Sequence, residues 1–480
     1  MTKKLFLINP GSVDKLNLAS VGIWITFAPP TLACLAGLTP SDWDVRIADE
    51  NVEDLTFEDA DLVGITAMSS SAPRAYEIAE EFRRRGIKTV IGGVHASVLP
   101  EEAAKYVDSV VIGEAESVWQ QLLEDFEGNR LKTFYRGDRV SMENLPRPRN
   151  NLYSDGYRMK ASVQTARGCP FDCEFCCVTA FNGRTYRQRP VQEVLDELEA
   201  LDCRDFFFTD DNIVGCGPKD EERAIQLFRG MAERGLNKRW FAQVGIDFAM
   251  YPNVLKWARK SGCLAVCMGL ESVNEESLHG MRKVRNLKVG VDNYKAVIKR
   301  VHDHGIGLHA TIILGNDGDR KDIFERTVEF VLDSKIDTVN VSMLCPLPGT
   351  RLYERMRAEG RLLRTNYPED WKHYDMAEAI FIPRHMSPDE LEEGVVWTYE
   401  QLTSRRASLR RACNTLITTR RPSLALIGHT LNRDYSKFVL MKRQHVLDER
   451  AREMRSTSVT CDVPADERPE AEAEAEAVES

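Results

Sequence analysis

Two successive series of short apolar runs, each run separated from the next by a helical stretch, leave this chain few ways to fold. In the first series the runs are Leu5 to Ile8, Val45 to Ala48, Leu62 to Met68, Thr89 to Ile91 and Ser109 to Ile112. Amphipathic segments lie between them, around Leu32 to Leu38, Ala72 to Arg85, Pro100 to Tyr106 and Val118 to Phe126. Short strands alternating with helices require crossovers onto a parallel sheet, with ligands at the carboxyl ends of the strands. Residues 1–128 are therefore expected to form a doubly wound, Rossmann-like α/β domain.

Residues 129–160 carry Pro146, Pro148, Asn150 and Asn151 with little periodicity and read as a linker. The second series follows over 161–355. Its strand candidates are Ser162 to Ala166, Phe206 to Thr209, Phe241 to Val244, Ala265 to Met268, Leu308 to Ile313 and Thr338 to Met343. One intervening helix places Val191, Val194, Leu195, Leu198 and Leu201 on one face. Six such units predict a partial (β/α)6 barrel with its chemistry at the C-terminal strand ends.

Residues 356–455 read as a mainly helical region. From Arg384 to Arg455 there are 14 Lys and Arg against 9 Asp and Glu, a pattern read first as a solvated helical face and second as an anionic-ligand surface. Residues 456–480, ending in alternating Glu and Ala, are expected to be a disordered acidic tail. A net charge of −10 argues against a generic nucleic-acid binder. No apolar run is long enough for a membrane span or a signal peptide, so a cytoplasmic protein is expected. Twelve Cys in 480 residues is too sparse for a disulfide scaffold, and clustered Cys in a reducing compartment more often hold metal.

The cluster is Cys169-Pro170-Phe171-Asp172-Cys173-Glu174-Phe175-Cys176, directly after the first barrel strand. Three thiolates at Cys-x3-Cys-x2-Cys spacing on one loop can ligate three irons of a cubane and leave the fourth iron open, whereas tetrahedral zinc needs a fourth ligand. Cys177 could be argued as that fourth ligand, but neighbouring loop residues point apart, and it is assigned a packing role. An open iron at a barrel mouth gives a cofactor a place to bind directly.

These motifs resemble the radical S-adenosylmethionine (radical SAM) enzymes, in the subgroup with an N-terminal cobalamin-binding-type domain. The resemblance implies a 4Fe-4S cluster on Cys169, Cys173 and Cys176, S-adenosylmethionine on the open iron, and Phe175 near its adenine. It assigns Asp210, Asp211 and Asn212, ending the second barrel strand, to the cofactor ammonium group, which carboxylates suit. Glu271 and Ser272, ending the fourth strand, are expected to bond ribose or methionyl groups, and Gly315 to let backbone approach adenine. Ordinary strand-end capping is the competing reading for these residues. Cys345-Pro346-Leu347-Pro348-Gly349-Thr350 resembles a recurring family turn, and Cys345 is a candidate hydrogen-atom donor. Asp247, His309 and Asn340 are candidates to face a polar substrate, with satisfied core groups as the alternative.

In the first domain, Gly92 and Gly93 follow a strand at the spacing where cobalamin domains bring backbone close to the nucleotide tail, and Ser69 or Ser70 matches the preceding Ser. The Asp-x-His-x-x-Gly segment that supplies an axial His to cobalt is absent, the chain reading Asn9-Pro10-Gly11-Ser12-Val13-Asp14. His95 follows the wrong strand for that role. Two readings stay open: cobalamin held without a protein His, or a relic domain that binds none.

The reaction implied is reductive cleavage of S-adenosylmethionine to a 5'-deoxyadenosyl radical that takes hydrogen from a small-molecule substrate. Methylation through cobalamin ranks first. Radical dehydration or deoxygenation of a polyhydroxylated molecule such as an amino sugar follows, then rearrangement or ring formation, and a non-catalytic sensor ranks last. The expected partners are the substrate and an electron donor such as flavodoxin or ferredoxin, with a separate reductase as an option.

Overall fold

The structure is a computed structural model and describes residues 2–11, 27–157 and 159–459. Ser12, Val13 and Asp14 of the first strand-end turn, and residues 460–480 of the expected tail, lie outside the described residues; residues 456–459, expected to be disordered, instead continue the helix Pro422–Val459 and move the boundary set at 455.

The first sheet contains β1 (Lys3–Asn9), β2 (Trp43–Asp49), β3 (Leu62–Thr66), β4 (Lys88–Gly92), β5 (Ser109–Gly113) and β6 (Phe134–Gly137). The strands pair in parallel in the order β2-β1-β3-β4-β5-β6. That order reverses direction at β1 and β3, as a doubly wound sheet does. Its two faces bury separate apolar clusters, one under helix Ala72–Arg84 and one under helices Pro30–Leu38 and Trp119–Glu127.

Strand β6 corrects the expected boundary at residue 128, because the segment read as linker supplies the sixth strand. It is a four-residue edge strand with only Tyr135 fully buried, too short and too one-sided to carry a periodic signal. Tyr135 is held from below, its hydroxyl donating to Asp125 Oδ2 at 3.0 Å.

The second sheet begins with β7 (Ala161–Val163). A short antiparallel pair, β8 (Ala166–Arg167) and β9 (Arg187–Gln188), brackets the cysteine loop. The sheet continues with β10 (Asp205–Phe208), β11 (Arg239–Val244), β12 (Cys263–Glu271), β13 (Gly307–Leu314) and β14 (Thr338–Met343). All neighbours are parallel in the order β14-β13-β12-β11-β10-β7. Strands β7 and β14 do not pair, so the barrel is partial and open on one side.

Rings from successive strands fill the lower lumen. Phe207 stacks on Phe27 at 4.3 Å and on Phe241 at 5.5 Å, and His309 lies 6.4 Å from Phe241 and 5.8 Å from Tyr435. Tyr435 comes from the last helix, Pro422–Val459, which with Pro388–Thr403 and Arg405–Thr419 forms the C-terminal helical region. Its helices cover the open side and the N-terminal ends of the strands: on β14, Tyr399 Oη donates to the Asn340 side chain at Oδ1 and accepts the backbone N–H of Val341. No described helix is long and apolar enough to cross a membrane.

Two contact sets tie the first sheet to the rest. Arg167 and Arg187, flanking the cysteine loop, both pair with Glu114 after β5, and Arg167 also pairs with Glu116. On another side Glu102 accepts from Trp371 Nε1 at 3.0 Å and from Tyr76 Oη at 2.9 Å, with His95 Nε2 at 3.2 Å.

Candidate functional site

The loop from Cys169 to Cys176 crosses the C-terminal mouth of the barrel because Gly168 turns it there with φ at +86°, a left-handed conformation that favours glycine. Asp211 Oδ2 accepts the Gly168 N–H at 3.2 Å. One cavity of about 480 Å³ is walled by Cys169, Cys173, Cys176 and Phe175 on the loop side and by Asp211 and Glu271 on the barrel side. Gln243, Gly269 and Thr311, one residue each from β11, β12 and β13, form its floor. Since side chains alternate along a strand, this inward set continues down to Phe241, Cys267 and His309.

The fit of an iron-sulfur cluster rests on the donor set. Three thiols of one loop share a cavity and no described cysteine is in a disulfide. Burial pushes the Cys169 thiol up to about 11 and the Cys176 thiol up to about 12, so these sulfurs need a metal's charge to stay deprotonated. Among the described residues no three His, Cys, Asp or Glu side chains gather around a single ion. A cubane does not ask for that, because each thiolate goes to a different iron. Cys177 starts the helix Cys177–Asn182 and does not line this cavity.

Asp210, Asp211 and Asn212 separate into different tasks. Asp210 is fully buried and Oδ1 accepts the backbone N–H groups of Thr165 and Ala166, so it clamps the strand leading into the loop. Its Oδ2 has no partner, and burial pushes the carboxyl up to about 7. Asn212 spends its side chain on the local turn, donating to Gly215 O and accepting from Val214 N–H. Asp211 alone combines a cavity position with a carboxylate, and burial raises its pKa.

Glu271 projects from the end of β12 with φ at +63°. Its Oε1 accepts from Lys283 Nζ at 2.6 Å and its Oε2 from Thr311 Oγ1 at 3.3 Å. Burial opposes the charge on Lys283, yet Glu271 and the nearby Cys173 hold its pKa above the ordinary value. Its ammonium lies 5.9 Å from the Phe175 ring centre. The sequence reading missed Lys283, which stands outside every strand-end motif; the only signal was the adjacent pair Arg282-Lys283 soon after the short helix Glu275–Gly280. Arg285 was missed likewise: it pairs with Asp247 at 2.7 Å and lies 4.8 Å from the Phe171 ring centre.

Other candidates fall outside this cavity. Ser272 is buried and caps a turn, accepting from Asn274 N–H. Gly315 has φ at +94°, and a Cβ there would meet Leu391 Cδ2 at 2.6 Å, so close helix packing accounts for it. His309 sits low in the lumen with Nδ1 2.9 Å from Thr338 Oγ1, and burial lowers its pKa to about 4. Cys345 is buried in the barrel core, where burial raises the thiol pKa. Asp247 holds Arg285 and accepts from Tyr251 Oη.

A second cavity, of about 250 Å³, opens at the carboxyl ends of β3, β4 and β5. Its walls include Thr66, Gly92, Gly93 and Trp119, and also Phe181 and Asn182 from the helix that follows the cysteines. That helix therefore touches the second cavity while the loop before it lines the first. A Cβ on Gly92 would meet only Val111 Cβ at 3.7 Å, so the glycine leaves room. A Cβ on Gly93 would meet Ala67 O at 2.8 Å. Ser69 faces away from the cavity toward His95 Nδ1 at 3.2 Å. With Tyr76 and Glu102 at its Nε2, His95 has both ring nitrogens engaged and none to offer a metal.

Comparison with known proteins covers both domains. The chain matches the radical SAM superfamily over residues 163–331 and the B12 binding domain over residues 29–123. It is 30% identical over 424 residues to the bacteriochlorophyllide d C-12(1)-methyltransferase of Chlorobaculum tepidum, covering 85% of this chain and 89% of that protein. It is 28% identical over 385 residues to the anaerobic magnesium-protoporphyrin IX monomethyl ester cyclase of Cereibacter sphaeroides, covering 72% of this chain and 60% of that one. The fold is similar to that of the methyltransferase TsrM from Kitasatospora setae, solved with cobalamin and a [4Fe-4S] cluster, at a TM-score of 0.65 and 16% identity over 93% of this chain and all of that one. The radical SAM domain implies a 4Fe-4S cluster and S-adenosylmethionine, and the B12 binding domain supports cobalamin. The chain belongs to the radical S-adenosylmethionine enzymes that carry an N-terminal cobalamin-binding-type domain.

Proposed function

We propose that this enzyme transfers a methyl group to an unactivated carbon of a small biosynthetic substrate. The observation that carries the reading is the sharing of one loop and helix by two cavities: Cys169 to Cys176 line one, and Phe181 and Asn182 close the other. When bound, the cluster would supply the electron for reductive cleavage of S-adenosylmethionine, and cobalamin would supply the methyl group.

The chain's own residues bind, orient and exclude water. Cys169, Cys173 and Cys176 hold three irons. Asp211 receives the cofactor's ammonium group, and Lys283, kept charged by Glu271, receives its carboxylate. Asp210 fixes the strand that positions the loop and touches no ligand. Gly92 gives the nucleotide tail of cobalamin its approach, and His95 stays a structural group. The first sheet with β6, the partial barrel and the helical region act as three units, the last closing the open side.

Between β14 and the C-terminal helices lies a further cavity of about 420 Å³, lined by apolar and aromatic side chains such as Phe27, Met343, Val396 and Phe438, by Asn340 and Ser342, and by the charged Asp375, Asp389, Glu392, Glu393, Lys442 and Arg443. Its size and mixed lining support a substrate with an apolar body and polar or charged groups at its edge. The similarity to a cyclase favours ring formation as the second reading; dehydration of an amino sugar is not favoured. The test is anaerobic turnover of cluster-loaded protein with and without cobalamin. Cobalamin-dependent release of S-adenosylhomocysteine alongside 5'-deoxyadenosine is expected. Release of 5'-deoxyadenosine alone, whether or not cobalamin is loaded, would exclude methyl transfer.

A further inference from the structure

Helix Arg405–Thr419 is amphipathic in the wrong direction for a core helix. It buries Ala407, Ser408, Arg411, Thr415 and Thr419, while Leu409, Leu416 and Ile417 are 60%, 44% and 70% exposed. The buried face is polar and satisfied. Arg411 donates to the carbonyls of Ile336 and Asp337, Thr415 Oγ1 donates to Asp337 Oδ1, and Ser408 Oγ pairs with His429 Nδ1. At 100° per residue the outward sector contains Leu409, Cys413, Leu416 and Ile417 with Arg405, Arg406, Arg410 and Arg420, and no acid. Leu426, 68% exposed, lies early in the next helix, Pro422–Val459, just beyond the turn.

Charge sharpens the picture. From Gln401 to Arg433 the chain has seven Arg and neither Asp nor Glu, within a protein of net charge −10. Arg411 and Arg421 are spent on backbone carbonyls, and Arg410 reaches Asp333 at 3.6 Å. Arg405, Arg406 and Arg420 have no ion-pair partner among the described residues. Large aliphatic side chains with arginines around them are the composition of a surface that lies on anionic lipid.

We propose that the outward face of helix Arg405–Thr419 docks the enzyme onto an anionic phospholipid surface. A second copy of the chain fits the face poorly, since a two-fold contact would set arginines against arginines. An acidic electron donor fits poorly as well. Arg411 and Arg421 bond the chain at Asp337, Cys263 and Gly305, at or just before the starts of β14, β12 and β13, and the cysteine loop is at the opposite ends of those strands. Nucleic acid has no use for the exposed leucines and isoleucine.

Full-length, cluster-loaded protein is sedimented with phosphatidylcholine vesicles with and without phosphatidylglycerol. Pelleting only with the anionic vesicles, reversed by raised salt, is expected. The pairs Leu416→Glu/Ile417→Glu and Arg405→Glu/Arg406→Glu each lower binding by about tenfold or more. All four side chains are solvent-facing, so circular dichroism and melting should match the parent. Failure to pellet with either vesicle, or equal pelleting of the variants, overturns the proposal. So does a dimer in size-exclusion chromatography that the same substitutions dissociate, which would assign the face to a second copy.

Discussion

The two cavities that meet at the cysteine loop are built on different principles. The barrel cavity is lined by groups whose charge matters: three thiols, Asp211, and the Lys283–Glu271 pair. The cavity over the first sheet is shaped by missing side chains and close backbone, with Gly92 and Gly93 at the end of β4 and Gly113 at the end of β5. Changes of charge should therefore damage the first, and added carbon atoms the second.

The sharpest break is expected at the loop. Cys173→Ala should abolish the visible charge-transfer absorbance of the reconstituted cluster and bring 5'-deoxyadenosine formation to background, while Cys177→Ala retains both. Iron and sulfide analysis of the two variants checks the assignment. If Cys177→Ala loses iron as fully as Cys173→Ala, the three-thiol reading fails.

Next in size is Lys283→Met. It leaves Glu271, with 8% of its side chain exposed, without its ionic partner, and breaking such a pair costs about 3–5 kcal/mol. A clear fall in melting temperature is expected, together with weaker S-adenosylmethionine binding by calorimetry. Adding Glu271→Gln should restore most of the melting temperature and none of the affinity. Parallel recovery of both would make the pair purely structural.

For the other cavity the expected contrast is between adjacent glycines. Gly93→Ala places a Cβ against Ala67 O and strains a φ of +95°, a destabilisation of about 1–3 kcal/mol. Gly92→Ala adds a methyl into the cavity with only ordinary contact to Val111, so stability should change by less than about 0.5 kcal/mol. Retention of hydroxocobalamin through gel filtration should nonetheless fall for Gly92→Ala. Unchanged retention would remove Gly92 from the binding surface.

What the sequence disclosed follows the same division. Strand alternation and the cysteine spacing are local patterns, and both sheets and the loop position could be read from them. Strand β6 was missed because an edge strand with one buried residue has no period. Lys283 was missed because its partner, Glu271, is brought to it by tertiary folding across a helix and a turn. The stretch from Arg384 to Arg455, which holds helix Arg405–Thr419, was read from its charge as a solvated helical face, since a count of charges does not show where the apolar side chains among them point. Asp210 and Asp211 looked equivalent as neighbours at a strand end; alternation sends one into the fold and the other toward the cavity.

That last separation gives the smallest and most specific test. Asp210 has a folded-state pKa of about 7 against a reference of 3.8, raised by burial with Oδ2 left unpartnered. The protonated form is the one the fold favours, so the stabilisation is fully present below the reference value and is lost as pH rises through the folded one. Stability of the apo-protein should thus decline between about pH 4 and pH 7 through this group. Asp210→Asn keeps an oxygen for the Thr165 and Ala166 N–H groups and carries no titrating charge. Its melting temperature should vary less over that interval and exceed the parent's at the alkaline end. If both proteins show the same slope, Asp210 is ionised in the fold with a partner at Oδ2, and its place would be beside Asp211 at the cofactor ammonium.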